Sequence, residues 1–293
     1  GQIVRLGGGE PTLYKDIFKI IRTLKKINKK PILITNGIKL KNINYLKRLV
    51  DAGLFGVHFS LNSMEKERNK HISDKLSAFA NLTKFENLYL IMSTTLERDR
   101  PEPTIRQILE FYINNIEHIN EWRIRSAVSI GKFRDIERYT TYELVEMVCK
   151  AAGKDIKSVI KHYRREKNSH TLPCRMTLQI ILFSSDLRDS FIICNTQDFV
   201  YGGKQSLVKL GVMLARQFKL RHLFRLAYKT IFSGKLKVMR LEIRSWPTKE
   251  TLDMMDISLC PSLNIMVNLD GGKCARPFCY SLIMNNKDDA DYR

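Results

Sequence analysis

The fold is decided by residues 6–12, whose sequence is Leu-Gly-Gly-Gly-Glu-Pro-Thr. A short apolar run precedes this stretch, and apolar residues at helical spacing follow it between residues 17 and 27. That order is typical of a strand, a tight glycine turn and a helix. Consecutive glycines let a ligand approach the backbone, and Pro11 biases Glu10 towards an extended conformation. The turn therefore predicts a site with one fixed carboxylate, which suits an ammonium group because charge-assisted hydrogen bonds are strong.

Composition restricts the classes of protein that remain. The 293 residues carry a net charge of +20, which indicates an anionic partner such as nucleic acid, an acidic lipid surface or a charged substrate. No apolar run reaches the roughly 20 residues that a membrane-spanning helix needs. The 6 cysteines occur without a signal peptide, so thiolate ligation in a reducing, cytoplasmic compartment is favoured over disulfides.

Strands alternate with helices through the first half of the chain, which favours βαβ units and a parallel sheet. The predicted strands are 3–6, 31–37 with polar turn residues at its end, 55–61, 88–94 and 122–126. The predicted helices lie at 17–27, 43–50, 76–82, 104–115 and 142–152. We expect His58 and Ser60 to share one face of the third strand because side chains alternate, although a lone strand histidine is more often structural than catalytic.

Three strand ends resemble motifs of one family, the radical S-adenosylmethionine (SAM) enzymes. Residues 8–11 resemble its GGEP motif, whose backbone and Glu hold the amino group of SAM. Residues 35–37 resemble its TNG strand end, and residues 60–62 resemble its SLD strand end, with Asn62 in place of Asp. The resemblance implies these cofactor-binding residues: Gly8, Gly9, Glu10, Pro11, Asn36, Ser60, Asn62 and Arg125. Arg125 is a candidate to bind the carboxylate of SAM or of a substrate, and the alternative is a surface arginine. For residues 8–11, the alternative is an ordinary turn with an exposed Glu10.

The resemblance implies an α/β fold, a partial (β/α)6 radical SAM barrel that lacks its first strand. It also implies a C-terminal α+β extension that contains cysteines. The domains expected are 1–170, the remainder of the barrel, and 171–293, the extension. The family's Cys-x3-Cys-x2-Cys motif is absent from these residues, and the first residue is Gly inside a strand. We expect a fragment that is inactive alone, and the rival interpretation is a degenerate homologue.

The second half contains a basic segment and most of the cysteines. Residues 204–240 carry many Lys and Arg, no acidic residue and interleaved apolar residues. This pattern is typical of an amphipathic helix on an anionic membrane, and the alternative is a helical hairpin with a solvated basic face. Hairpins are predicted at 177–194 and around the Asp-Gly-Gly turn at 270–272.

Converging thiolates in the second half favour an iron-sulfur cluster or zinc. Residues Cys260 and Cys279 flank the second hairpin, and Cys274 lies near its turn. The best fourth ligand is Cys174, with Cys194 as runner-up, and Cys149 is interpreted as a buried core residue. This region resembles the group of pterin methyltransferase-like proteins and tetraether lipid synthase, which implies an auxiliary 4Fe-4S cluster on Cys174, Cys260, Cys274 and Cys279.

The resemblance implies that the intact protein cleaves SAM reductively to a 5'-deoxyadenosyl radical at a 4Fe-4S cluster. An electron donor such as ferredoxin or flavodoxin is then required. The outcome expected is methylation or carbon-carbon coupling at an unactivated carbon of a small molecule, with a lipid substrate and peripheral membrane contact suggested by 204–240. The alternatives are a peptide-modifying maturase and a non-catalytic basic adaptor for membrane or nucleic acid, although no nucleic-acid module accompanies the charge.

Overall fold

The structure is a computed structural model that describes most of the first half of the chain and selected strands of the second. The described residues are 2–98, 103–127, 137–160, 175–182, 190–195, 237–245, 263–267 and 273–277. The strands are β1 (Ile3–Leu6), β2 (Lys30–Thr35), β3 (Gly56–Ser60), β4 (Tyr89–Leu96), β5 (Glu121–Ser126), β6 (Arg175–Leu182), β7 (Ser190–Asn195), β8 (Lys237–Arg244), β9 (Leu263–Val267) and β10 (Lys273–Pro277). The helices are α1 (Ile17–Lys26), α2 (Ile43–Asp51), α3 (Ile72–Leu82), α4 (Pro103–Asn114), α5 (Thr141–Ala151) and α6 (Ile156–Ile160), with 3-10 turns at Pro11–Leu13 and Ile38–Lys41.

Eight strands form one sheet in the order β1-β2-β3-β4-β5-β8-β6-β7. The first six in this order are parallel, and β6 and β7 are antiparallel to their neighbours. Strands β9 and β10 form a separate antiparallel pair. The predicted α/β class, the five strands and both hairpins are therefore confirmed.

The sixth parallel strand, β8, was not predicted. Residues 237–240 belong to this strand, so the prediction that the helical insert extends to residue 240 is wrong at that end. The physical reason is the alternation of charged and apolar residues from Arg240 to Arg244, which fits a strand with two different faces. Residues 204–236 lie outside the described part of the chain.

The apolar core lies between the sheet and its helices. Connections between neighbouring parallel strands are right-handed as a rule, so α1 to α4 cover the same face of the sheet. We call this the outer face and the opposite one the inner face. The outer face contributes these buried residues: Leu33, Val57, Phe59, Leu90, Met92, Trp122, Ile124, Leu241 and Ile243. Because β8 contributes to the same core as β2 to β5, it is part of the central sheet.

Local signals fix the ends of several elements. The Asn42 side chain caps α2 by accepting a hydrogen bond from the Tyr45 N–H at 3.1 Å. A capping box of Thr140 and Glu143 begins α5. Gly37, after β2, has a φ of 79°, and a Cβ there would lie 2.0 Å from Cε2 of Phe59. Only glycine fits that turn.

The predicted domain boundary at residue 170 lies between described segments and stays a prediction. Within the described ranges, no helix has the length and apolar character needed to cross a membrane.

Candidate cofactor site at the carboxyl edge of the sheet

The glycine turn after β1 leaves its backbone open to a ligand. Gly8 has a φ of +130°, which side-chain-bearing residues rarely adopt. A Cβ placed on Gly8 or Gly9 would meet nothing within 4 Å. By contrast, a Cβ on Gly7 would lie 3.3 Å from Cδ1 of Ile34. The turn is therefore packed where it leaves the strand and open at Gly8 and Gly9.

Glu10 is held in place by four hydrogen bonds. Its Oε1 accepts from the Thr12 N–H at 3.1 Å, the Thr12 hydroxyl at 2.7 Å and the Thr35 hydroxyl at 2.6 Å. Its Oε2 accepts from the Asn36 N–H at 2.8 Å. The carboxylate thus joins the turn after β1 to the end of β2. A carboxylate oxygen has two lone pairs, so Oε2 retains acceptor capacity for one more donor.

The charge of Glu10 is stabilised by this arrangement. Burial alone would raise its pKa, but the hydrogen bonds from Thr35, Thr12 and the Asn36 backbone outweigh burial and lower the pKa below its usual value. The group is therefore ionised at neutral pH. A fixed, ionised carboxylate beside open glycine backbone suits a ligand that carries an ammonium group.

Lys75 lies at the same edge and was missed in the sequence. Its side chain is 9% exposed, and its ammonium donates to the Ser60 carbonyl at 2.7 Å. Burial lowers its pKa, and the attraction of Glu10 opposes that effect. A lysine within a helix is usually solvent-facing. The signal that identifies this one is its spacing with Ile72 and Phe79 on the buried face of α3.

The other predicted cofactor residues also lie at this edge. Asn36 follows β2, and its side-chain oxygen accepts from the Ile38 N–H at 3.0 Å. Half-buried Ser60 ends β3, and exposed Asn62 accepts from the Thr95 N–H at 3.0 Å. Pro11 begins the 3-10 turn that Glu10 caps. The structure brings these residues to one edge, and their roles in binding stay predictions.

The inner face of the sheet carries charged side chains as well as apolar ones, whereas the outer face is apolar. Strand register places His58 between Ile34 and Ile91, on the side shared with Ser60. The same face carries charged residues on β1, β5 and β8. We name the following set the inner-face cluster: Arg5, His58, Glu121, Arg123, Arg125, Arg240, Glu242 and Arg244.

Ion pairs connect part of the inner-face cluster. Arg123 forms a two-pronged contact with Glu121, at 2.8 Å through Nε and 3.0 Å through Nη2. Glu242 lies 2.7 Å from Nε of Arg244 and 3.6 Å from Nη2 of Arg240. Both glutamates are 2% exposed, so these pairs are buried. The strict alternation of charge along β5 and β8 was the sequence signal that could have revealed them.

His58 and Arg125 sit in an electropositive environment. His58 is 3% exposed, and neither of its ring nitrogens has a hydrogen-bond partner among the described residues. Burial, reinforced by repulsion from the surrounding arginines, lowers its pKa to about 2. Burial, with repulsion from Arg123 and Arg244, lowers the pKa of Arg125 to about 10. Arg125 is half-buried, and the register places it on the inner face, which differs from the surface alternative.

The cysteines are described only in part. Cys149 is buried in the core as predicted, and burial raises the pKa of its thiol to about 12. Cys274 lies on β10 opposite Met266, and Cys194 lies on β7 opposite Leu178. Cys174, Cys260 and Cys279 fall outside the described ranges. No metal-binding group of side chains occurs in the part of the chain that is described, and the auxiliary site stays a prediction.

Comparisons with known proteins bear on this site. Residues 1–88 match the Radical SAM superfamily. A 7,8-dihydro-6-hydroxymethylpterin dimethyltransferase of Methanocaldococcus jannaschii is 29% identical over 121 residues, 39% of this chain and 24% of the relative. A probable GTP 3',8-cyclase of Sulfurisphaera tokodaii is 28% identical over 174 residues, 55% of this chain and 52% of the relative. The structure of Streptococcus suis SuiB bound to S-adenosylmethionine aligns at 16% identity and a TM-score of 0.41, covering 50% of this chain and 34% of SuiB.

The chain thus spans about half the length of one of these curated relatives and about a quarter of the other. The superfamily is one whose members use SAM and a 4Fe-4S cluster. The matched residues include the glycine turn and the strand ends that carry Asn36, Ser60 and Asn62. This match identifies residues 1–88 as a segment of the Radical SAM superfamily.

Proposed function

We propose that this chain is part of a radical SAM enzyme and that its glycine turn binds the methionine end of SAM. The observation that carries the proposal is Glu10, which is ionised, fixed by hydrogen bonds and has acceptor capacity left on Oε2. When bound and reduced at a 4Fe-4S cluster, SAM supplies a radical that removes hydrogen from an unactivated carbon. The cysteine motif for that cluster is not among the 293 residues.

The residues at the carboxyl edge fit the methionine moiety. An ammonium group has three donors, and Glu10 Oε2 offers it a charged acceptor. The open backbone at Gly8 and Gly9 leaves room for the ligand beside that acceptor. Asn36, Ser60 and Asn62 then line the path of the rest of the cofactor, and Lys75, next to Ser60, offers a cation to the SAM carboxylate.

Ligand discrimination tests this proposal without requiring turnover. We would measure binding of SAM and of 5'-methylthioadenosine, which lacks the ammonium group, by calorimetry on the wild type and Glu10→Gln. A hydrogen bond to a charged group contributes about 1.5–3 kcal/mol, so the variant should lose roughly tenfold or more in SAM affinity. Its affinity for methylthioadenosine should change little.

The matched control is Glu146→Gln, which removes an exposed carboxylate on α5, remote in sequence from the turn. It should leave both affinities unchanged. Loss of both ligands in Glu10→Gln would mean that Glu10 only holds the turn together. Absence of SAM binding in the wild type would favour the alternative of a non-catalytic adaptor.

The reaction proposed for the intact protein is methylation or carbon-carbon coupling. A relative named as a pterin dimethyltransferase supports methyl transfer, although the match covers only 24% of it. A lipid substrate and peripheral membrane contact through 204–240 rest on the basic composition of that segment. An auxiliary 4Fe-4S cluster on Cys174, Cys260, Cys274 and Cys279, an electron donor such as ferredoxin or flavodoxin, and the peptide-maturase alternative are carried forward as proposals.

A further inference from the structure

The positive charge of the first half of the chain is concentrated on α1, α2 and the segments beside them. Residues 17–50 contain ten Lys and Arg and no Asp or Glu. Residues 52–127, which include α3 and α4, contain ten residues of each sign. A chain that is basic throughout would not show this contrast. The excess charge therefore belongs to one part of the surface, which attracts an anionic partner.

The cations of α1 form one row on its solvent side. Lys19, Arg22 and Lys26 are spaced by three and four residues, so they lie on the same side of the helix. All three are exposed, whereas Ile17 and Ile21 of the same helix are buried in the core. None of the three cations forms an ion pair with another residue in the described ranges. We call Lys19, Arg22 and Lys26 the cation row.

A groove between α1 and α2 lies beside the cation row. Its volume is about 370 Å³. Four cations and two carboxylates line it, namely Lys15, Lys19, Arg22 and Arg48 with Asp16 and Asp51. The guanidinium of Arg48 lies 4.5 Å from the centre of the Phe18 ring, which holds it against α1. The groove is thus positive on balance and concave, so that an anionic group can enter it from solvent.

Exposed apolar side chains lie at both ends of α1. Leu13 and Tyr14, just before the helix, are 73% and 52% exposed, and Ile27, just after it, is 57% exposed. A membrane-surface helix combines cations, which meet the anionic headgroups, with apolar side chains that enter the boundary of the acyl chains. The phosphate backbone of a nucleic acid needs the cations alone. The apolar residues therefore favour lipid over nucleic acid.

We propose that the solvent side of α1 and α2 docks on an anionic membrane surface. The cation row and the groove contact the lipid headgroups, and Leu13, Tyr14 and Ile27 enter the acyl boundary. The contact does not depend on SAM binding by Glu10, and it uses none of the residues of 204–240.

Vesicle co-sedimentation of the full chain tests this surface. The vesicles contain phosphatidylcholine alone or with about one third phosphatidylglycerol. Each cation near an anionic surface strengthens binding about fivefold, so Lys19→Gln/Arg22→Gln/Lys26→Gln should lose roughly a hundredfold in affinity for the anionic vesicles. Ile27→Ser should lose severalfold, and that loss should persist at high salt, which screens only the charged contacts.

The matched control is Lys66→Gln/Lys70→Gln/Lys84→Gln, which removes the same net charge from exposed lysines outside α1 and α2. It should retain most of the vesicle affinity. If the α1 variant does not fold, Lys19→Gln/Arg22→Gln replaces it, with an expected loss of about twenty-five-fold. SAM affinity is measured on every sample, so failure of the Glu10 site and failure of the membrane surface are seen separately.

Four results would overturn the proposal. Equal binding to the two kinds of vesicle would exclude an anionic lipid surface. Equal losses in the α1 variant and its control would reduce the effect to net charge. Unchanged binding by the α1 variant, with loss on neutralising Lys219, Arg221 and Arg225, would assign the contact to 204–240. A single-stranded RNA that displaces the chain from vesicles, and whose binding the cation row but not Ile27 controls, would assign the row to nucleic acid.

Discussion

The hydrogen bonds around Glu10 and the inner-face cluster are the two polar regions of this sheet. They differ in how many of their polar atoms have hydrogen-bond partners. In the glycine turn, Glu10 accepts four hydrogen bonds that tie β1 to β2. In the inner-face cluster, the glutamates are paired with arginines, but His58 has no hydrogen-bond partner among the described residues. One cluster is complete except for an open acceptor, whereas the other retains a buried imidazole and excess charge.

The difference separates a carboxylate whose hydrogen bonds join two strands from a histidine whose ring nitrogens have no hydrogen-bond partner among the described residues. Buried polar atoms are almost always hydrogen-bonded, because an unsatisfied one costs free energy. The hydrogen bonds of Glu10 already give it a structural role, because they join β1 to β2. A role in ligand binding has to be argued from the hydrogen-bond acceptor capacity that remains on its Oε2. His58 has no such explanation among the described residues, where neither ring nitrogen has a hydrogen-bond partner.

The largest effect is expected from breaking the paired part of the inner-face cluster. Glu121→Leu leaves the guanidinium of Arg123 buried at 4% exposure without its two-pronged partner. Removing one member of a buried pair costs about 3–5 kcal/mol, so the free energy of unfolding should fall by that amount in urea denaturation. The double variant Glu121→Leu/Arg123→Leu should recover most of the loss.

The matched control for that experiment is Glu110→Ala, which breaks the exposed pair with Arg106. Exposed pairs of this type contribute about 0.3–0.5 kcal/mol. A double variant no more stable than Glu121→Leu would show that the pair contributes through packing instead of charge.

A smaller effect separates the two glycines with positive φ near the cofactor site. Gly37→Ala forces a Cβ to within 2.0 Å of Phe59, whose ring is fully buried, whereas Gly8→Ala meets open space. Backbone strain costs about 1–2 kcal/mol in both, and overpacking adds about 1–3 kcal/mol only at Gly37. Gly37→Ala should therefore lose about 3 kcal/mol of unfolding free energy, and Gly8→Ala about 1 kcal/mol.

Phe59→Leu provides the check on the glycine comparison. If the overlap with Phe59 is the cause, Gly37→Ala should cost less in the Phe59→Leu background than in the wild type. Equal costs in both backgrounds would place the effect in the backbone alone.

The sequence predicted the first five strands and the glycine turn because their signals are local. Apolar spacing defines α1 and α2, and glycines mark the turns that end at Glu10 and Gly37. The hydrogen bonds from Thr12 and Thr35 to Glu10 were not predicted. Thr35 is 25 residues away from Glu10 along the chain. That contact exists only once β1 and β2 are paired.

The inner-face cluster was beyond prediction for a different reason. Strand β8 follows a long basic segment, so Arg240 was assigned to the end of that segment. Its partner β5 ends at residue 126, more than a hundred residues earlier, and no local pattern encodes such a pairing. The alternation of charged and apolar residues along β5 and along β8 is visible in the sequence. Only the register between the two strands shows that their charged residues lie on the same face of the sheet.

The smallest of these effects, and the one that tests the unsatisfied imidazole directly, is the pH dependence of stability. The pKa of His58 is lowered from 6.5 to about 2 in the fold, so below pH 6.5 the unfolded chain binds a proton that the folded chain does not. The free energy of unfolding therefore falls as the pH drops below the pKa of His58 in the unfolded chain, by about 1.4 kcal/mol per pH unit. His58→Leu cannot bind that proton and should escape this loss.

Urea unfolding of the wild type and His58→Leu at about pH 7.5 and pH 5.0 should therefore show a difference in unfolding free energy that grows by about 2 kcal/mol in favour of leucine. The variant His118→Gln, which removes an exposed histidine, should retain the wild-type pH dependence. Parallel pH profiles for His58→Leu and the wild type would mean that His58 accepts a proton in the fold, and the inner face would then be less positive than its arginines indicate.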